Sequence, residues 1–453
     1  MRGSTYAELR GPAEADIRRS APLLTVPIPQ QSLERLVEVG LPQLRARARV
    51  AWERPQLRSS LFGFGVAARV RGPRNSPIGD ARAALEQALA GATEAGVAHA
   101  ARPRAFGGGR FAPGGSHVDR RWERFGGWEF TVPSLLVAFH DGQASGSLTL
   151  RADSAPSPDD VDCFVQETLE RSTDGPGALD PGGQTEPASP ERWQQKVAAV
   201  LAEIAAGRYQ KAVLARPVDV PLPGVDVGAV LSRLADRYPG CFIFKYRSRA
   251  GDWLGASPER LASLEDGVLR ALCLAGSRPR GGDEAADARL RDELLSSPKE
   301  REEHELVRAA IASSIGPFCS TMAHPSEPAV VRMANIQHLS TPFEGKIRPW
   351  ASLLDVVASL HPTPAVGGSP RREALEAIDR IEEMDRGWYA GPIGWVDFDG
   401  EGEFAVGLRS GLVGAESARL YAGAGIVPGS NPANEYAETE TKLRPLRESL
   451  AGA

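Results

Sequence analysis

Strand-like stretches in this 453-residue chain follow one another in runs instead of alternating strictly with helices, and that order constrains the fold more than any other feature. Trp128–Pro133, Leu135–His140 and Ser145–Arg151 read as successive short strands bounded by turn residues, the pattern of an antiparallel meander. Cys241–Arg247, Asp252–Ala256 and Arg270–Ala275 form a second run, and Gly391–Asp397, Glu403–Ser410 and Ala418–Ala422 a third. A parallel sheet needs a crossover helix between its strands. The expectation is therefore an α+β protein with largely antiparallel sheets.

Helical spacing is read over Asp80–Ala95, Arg289–Ile315, Ala351–Leu360 and Arg372–Glu383, and after Ser189 and Pro190, which are suited to an N-cap and first turn. Leu61–Arg71 reads as one strand with glycine irregularities. Ala329–Leu339 reads as strands, and Phe106–Pro113, Asn335–Gly345 and His361–Gly368 read as Gly- and Pro-rich loops. Arg171–Pro190 is the clearest linker. Residues 1–60 are treated as a variable N-terminal segment of the same domain that spans 61–453.

A net charge of -5 gives no electrostatic case for nucleic acid or an anionic membrane as partner. No apolar run approaches the length of a membrane span and Met1–Pro22 has no secretory h-region, so a soluble cytoplasmic protein is expected. The four cysteines are scattered without zinc-type spacing and are read as free thiols. Of 53 basic residues only six are Lys, leaving 53 - 6 = 47 Arg. Only a lysine can become a neutral amine when desolvated, so each retained lysine draws notice.

Two stretches carry carboxylates at helical spacing. Glu435, Glu438 and Lys442 share one face, and in KEREEHELV so do Glu300, Glu303 and His304. Four carboxylates brought together repel one another unless a cation sits among them, and oxygen ligands favour a hard ion such as Mg2+. The plainer reading, a solvated face with an i,i+4 ion pair between Glu438 and Lys442, stays open. Lys211 opens the strand KAVLAR and shares a face with Val213 and Ala215, where burial would make it a general base; the alternative is a strand-end lysine in water. Glu259 follows Pro258 in GASPERL, placed as a general acid or as an ordinary helix-start glutamate. Arg409 is read as the end of strand FAVGLR among small neighbours, suited to a carboxylate, with backbone N–H donors from a flexible loop at Gly423 and Gly425. His338 is read as a supporting group.

With these residues in hand the chain resembles the chorismate-utilising enzymes, and within them the isochorismate synthases. QKAVLAR, GASPERL, LAGSRPRG, KEREEHELV, NIQHLSTPFEG, LHPTPAVGG, RGWYAGPIGW, GLRSG and AGAGIVPGSNPANEYAETETKL occur in family order. The resemblance implies two packed, largely antiparallel β-sheets with helices on the outside, forming one chorismate-binding domain. It implies that Lys211 activates water for attack at C2 of chorismate and that Glu259 protonates the departing C4 hydroxyl. Glu303 and Glu438 would hold Mg2+, with Glu300 and Glu435 nearby. Arg409, Tyr389, Gly423 and Lys442 would bind the substrate, helped by Gly276, Ser277, His338 and the loop around Ala365. Ammonia-using relatives lack a lysine at the position of Lys211. Salicylate synthases keep it but usually carry a threonine-containing loop where this chain has Ala365. The expected reaction is isomerisation to isochorismate, for menaquinone or siderophore synthesis, by a monomer. Salicylate formation and an inactive chorismate-binding relative are the alternatives.

Overall fold

In the computed structural model, residues 22–151, 155–170, 176–179, 189–222, 224–332 and 336–452 are described. Most of the expected linker at 171–190 lies outside them. Its last residues behave as read: the Ser189 side chain accepts a hydrogen bond from Arg192 N and Pro190 opens the helix Pro190–Ala205.

Among the described residues the strands assemble into a twelve-stranded and a ten-stranded sheet. The long ladders are antiparallel, as between Lys211–Pro221 and Ser417–Ile426, and between Val268–Pro279 and Ile336–Ile347. Leu23–Pro27 pairs in parallel with the short Thr93–Glu94. The main core contains Trp122, Trp253, Trp388, Tyr246 and Tyr421, all nearly inaccessible. Trp122 meets Trp253 edge to face with centroids 5.0 Å apart. A second apolar cluster joins the helices Val227–Arg237 and Pro432–Ala451, through Leu231, Leu234, Leu443 and Leu446, to the twelve-stranded sheet. Leu36, Leu44 and Val165, on three further helices, anchor another cluster. Helices thus clothe the paired sheets, as expected. Residues 23–27 and 50–54 are strands of the larger sheet.

Several local readings change. The meander after Trp128 is divided: Trp128–Val132 lies in the smaller sheet, while Leu135–His140 and Gln143–Arg151 lie in the larger, so the chain changes sheets at Pro133 and Ser134. Phe106 and its glycines are not a loop but part of the strand Arg104–Gly109. A Cβ on Gly107 would lie 2.0 Å from Glu129 O, and one on Gly108 2.4 Å from Pro392 O. Glycine is needed here for close strand packing, not for turning. The stretch read as a loop at 335–345 is the strand Ile336–Ile347, with Asn335 outside the described residues. Leu61–Arg71 is two strands, Ser59–Phe64 and Ala68–Gly72. The helix read to Ala95 ends at Leu89, followed by Gly91 at φ 75°. Ser297 splits the helix read over 289–315 into Glu284–Ser296 and Pro298–Ile315, capping the second by accepting from Glu300 N.

Lys245 lies in this frame with 2% exposure, its ammonium donating to the carbonyls of Arg45 and Ala46 at the end of the helix Leu41–Arg47. Burial lowers its pKa from 10.5 to about 7, with Asp252 opposing. Between those values the unfolded chain holds a proton that the folded chain has released, so stability rises with pH across that window. Unfolding free energies from urea titrations at pH 7 to 10 should rise more steeply for the wild type than for Lys245→Met, by about 1 kcal/mol per pH unit.

Candidate active site

The site forms where the helices Pro298–Ile315 and Pro432–Ala451 face the start of the strand Lys211–Pro221. That strand is held firmly on its outer side. Lys211 and Ala212 pair with Ser369 and Gly368, and Val213 N donates to Gly367 O at 2.8 Å. Beyond them, Ala215 N donates to Glu382 Oε1 at 2.6 Å and Arg386 Nη2 donates to Val213 O at 2.5 Å. Glu382, the last residue of the helix Arg371–Glu382, and Arg386, four residues on, also pair with each other. A buried ion pair here continues a ladder that no further strand extends.

Lys211 consequently points inward and is 4% exposed, which overturns the reading of a strand-end lysine in water. Its Nζ donates to Glu303 Oε1 at 2.6 Å. Burial works to raise Glu303, but Lys211, by charge and hydrogen bond, outweighs it and holds the carboxyl below its usual range. Gly425 leaves room for the lysine, since a Cβ there would sit 3.1 Å from Lys211 Cε. Gly423 and Gly425 belong to the strand Ser417–Ile426, not to a flexible loop, and the turn follows them.

Glu259 is not at a helix start. It lies between the strands Gly251–Ser257 and Arg260–Glu265, where the chain passes from the larger sheet to the smaller. Its N–H donates to Ser257 Oγ at 3.3 Å and its carbonyl accepts from Val406 N at 3.0 Å. Both links fix the turn. Burial drives its carboxyl up to about 7, against the pull of Lys211, Lys442 and Arg409. Such a group keeps a proton near neutrality in a site rich in cations.

On the opposite helix, Lys442 Nζ bonds Glu438 Oε1 at 2.6 Å and Gly423 O at 2.9 Å. Glu438 remains about half exposed, so the surface ion-pair reading describes its present partner. Burial raises Glu438, but Lys442 and Arg409 outweigh it and lower its pKa overall. Burial raises Glu435, with Ser430 as its hydrogen-bond partner. Glu300 accepts from Ser277 N at 3.0 Å and from Arg278 Nη1 at 2.8 Å. The bulge at Gly276, φ 77°, lets this strand approach the helix: a Cβ there would lie 3.1 Å from Glu300 O. Ser277 Oγ also pairs with His338 Nδ1 at 2.9 Å. Burial, reinforced by Arg409 and Lys442, pushes His338 down to about 4, so it is a neutral partner.

Arg409 is displaced from its expected place. The strand ends at Val406, and Arg409 follows in a turn with φ 49°, immediately before the strand Ser410–Val413. Its guanidinium has no side-chain partner among the described residues, although Tyr389, Glu438 and Glu259 act on it electrostatically. Tyr389 stacks on Tyr421 with centroids 5.1 Å apart and lies against Gly423. Ala365 sits in the loop before Gly367, beside the strand that carries Lys211.

Arg278, in LAGSRPRG, was missed by sequence reading; a glutamate held at a helix start needs a counter-charge, and the arginine of that motif supplies it. His304 shares the face of Glu300 in the sequence but turns to the sheet, where it meets Thr341 Oγ1 at 2.8 Å and Ala275 O at 3.2 Å. It is a packing residue.

The donor set suits a hard divalent cation. Glu300 is already committed to backbone and arginine, whereas Glu303 and Glu438 are each paired with one lysine. Among the described residues no three acidic, His or Cys side chains form a ready-made metal site. Glu303 and Glu438 each lean towards their own lysine.

Two packed antiparallel sheets with a buried lysine, a high-pKa carboxyl and an unpaired arginine at their seam define a site for a small carboxylate substrate. The chain belongs to the family described as chorismate binding enzyme, which matches residues 15–451. It is 35% identical over 411 residues to the salicylate biosynthesis isochorismate synthase of Pseudomonas aeruginosa, covering 88% of this chain and 84% of that one. It is also 35% identical over 360 residues to the isochorismate synthase MenF of Bacillus subtilis, covering 77% and 75%. The solved menaquinone-specific isochorismate synthase MenF of Escherichia coli superposes with a TM-score of 0.75 at 26% identity, over 96% of this chain and 97% of that one. No helix among the described residues is long and apolar enough to cross a membrane.

Proposed function

We propose that this enzyme converts chorismate to isochorismate, with Lys211 as base and Glu259 as acid. The observation that carries the reading is their contrast within one site: an inward lysine on one strand, and a glutamate raised to about 7 at the crossing between the sheets. Water attacks C2 and passes its proton to Lys211. Glu259 gives a proton to the C4 oxygen, which leaves as water while the ring double bonds shift. A new C2–O bond replaces the C4–O bond, and composition is conserved.

Arg409, Lys442 and the Gly423 backbone fit the substrate carboxylates, with Tyr389 closing one side. Ser277 and His338 shape the opposite wall. Glu303 and Glu438 would hold Mg2+, with Glu300 and Glu435 behind them. When bound, that ion neutralises carboxylate charge. Because a base must release its proton, the Lys211–Glu303 pair has to open in the working enzyme. Engaging Glu303 elsewhere achieves this.

The test is incubation with chorismate and Mg2+, with products resolved by chromatography. Isochorismate without pyruvate is expected. EDTA should abolish it, Mg2+ should restore it, and Glu303→Gln should lose at least about a hundredfold in activity at saturating Mg2+. Stoichiometric pyruvate with salicylate would move the assignment to salicylate synthase, making Ala365 an insufficient marker. Absence of any conversion would overturn the reading.

A further inference from the structure

Val213, two residues beyond Lys211 in the strand Lys211–Pro221, has both backbone groups bound on the strand's outer side. Its N–H donates to Gly367 O at 2.8 Å, and its carbonyl accepts from Arg386 Nη2 at 2.5 Å. The same guanidinium donates through Nη1 to Val366 O at 3.1 Å, so one side chain bridges the strand that carries Lys211 and the loop that carries Ala365. Glu382 completes the clamp. Its Oε1 accepts from Ala215 N at 2.6 Å and its Oε2 from Arg386 Nε at 2.8 Å. Next to it Gly368 packs so tightly that a Cβ there would lie 2.2 Å from Lys211 O. Phe111, from the first half of the chain, backs the arrangement. Its ring lies 4.0 Å from the Arg386 guanidinium carbon, and its carbonyl accepts from His361 Nε2 at 3.0 Å, at the start of the same loop.

Stability alone does not account for this pair. Arg386 and Glu382 are 4% and 3% exposed, and at such depth the cost of desolvation offsets the attraction, so apolar residues of similar volume hold a fold about as well. What a guanidinium fork supplies and apolar packing lacks is direction: its donors fix carbonyls of two different segments relative to one carboxylate. Arg45 and Glu53 form a similarly buried fork, at 2.9 and 2.8 Å, whose further contact is Ser232 and which holds no residue of the site. We propose that Glu382 and Arg386 are positioning residues, which hold the start of the strand Lys211–Pro221, and with it the base, in fixed register with the loop at Ala365. The effect on rate rests on the reading of Lys211 as base for chorismate; the joining of the two segments does not.

Arg386→Lys keeps a positive charge beside Glu382 but has no fork. In the full chain its kcat should fall by at least about thirtyfold, since a misplacement of about 1 Å costs a reacting group about a hundredfold. Chorismate affinity, measured by calorimetry, should stay within about threefold, because Arg409, Lys442 and Gly423 are untouched. Deuterium exchange should quicken by at least about tenfold in residues 211–216 and 363–367 together. Arg45→Lys is the control: it breaks the matching fork elsewhere, and kcat and exchange in both segments should stay within about twofold of wild type whatever its melting temperature. Should Arg386→Lys not fold, Glu382→Gln, which keeps an acceptor for Ala215 N but removes the charge that orients Arg386, carries the same expectations. Unchanged kcat, a loss of affinity equal to the loss of kcat, exchange that quickens in one segment alone, or the same kcat loss in Arg45→Lys would overturn the proposal. If wild type does not convert chorismate, exchange still decides whether the clamp joins the two segments, and only the reading of Lys211 as base is lost.

Discussion

Lys211→Ala is expected to lower kcat for isochorismate formation by about a thousandfold or more, within the range that a lost general base costs. The physical reason is the absence of a substitute. The other lysine of the site, Lys442, is bound to Glu438 and Gly423 O on the opposite helix. Removing Lys211 also strips Glu303 of the partner that holds its pKa down. Affinity for chorismate should change far less, because the carboxylate-binding groups remain. A calorimetric measurement of chorismate binding, with a thermal melt to establish folding, separates the cases. A variant that binds and melts normally but does not turn over supports the base. One that retains a tenth of wild-type kcat assigns the role elsewhere.

Glu259→Gln is expected to cost a similar factor, because glutamine cannot protonate the leaving oxygen. Its more discriminating signature is the pH profile. The acid must carry its proton, and burial sets its pKa at about 7 in the free protein. kcat/KM should therefore fall as pH rises through about 7, and the small residual rate of the glutamine variant should lack that limb. A profile flat from pH 6 to 9 would remove Glu259 from proton transfer even if the variant were slow.

What could be read from the sequence depended on whether a signal was local. The pairs Glu300 with Glu303 and Glu435 with Glu438 were legible because helical spacing alone puts them on one face. The inward direction of Lys211 was suggested by alternation but settled by the neighbouring Glu382 and Arg386, whose claim on the strand edge has no local signature. The glycines around Gly107 misled because glycine serves turns and tight strand packing equally, and only the approach of Glu129 O distinguishes them. Beyond Leu339 the strand Ile336–Ile347 reads as a loop because Pro342 and Gly345 suggest irregular backbone. Arg409 was assigned to a strand because FAVGLR alternates cleanly. The ladder stops at Val406, and the residues after it turn towards the site.

Lys211 and the trio Glu435, Glu438 and Lys442 stand on opposite sides of one small site, yet the ribosome makes them about half a chain apart. A nascent polypeptide that has already folded its first sheet strands still lacks one wall of the reaction chamber. Until the helix Pro432–Ala451 docks, Gly423 O has no lysine. Catalytic competence therefore arrives in a single late step, and chains released early should accumulate as folded-looking but inactive protein.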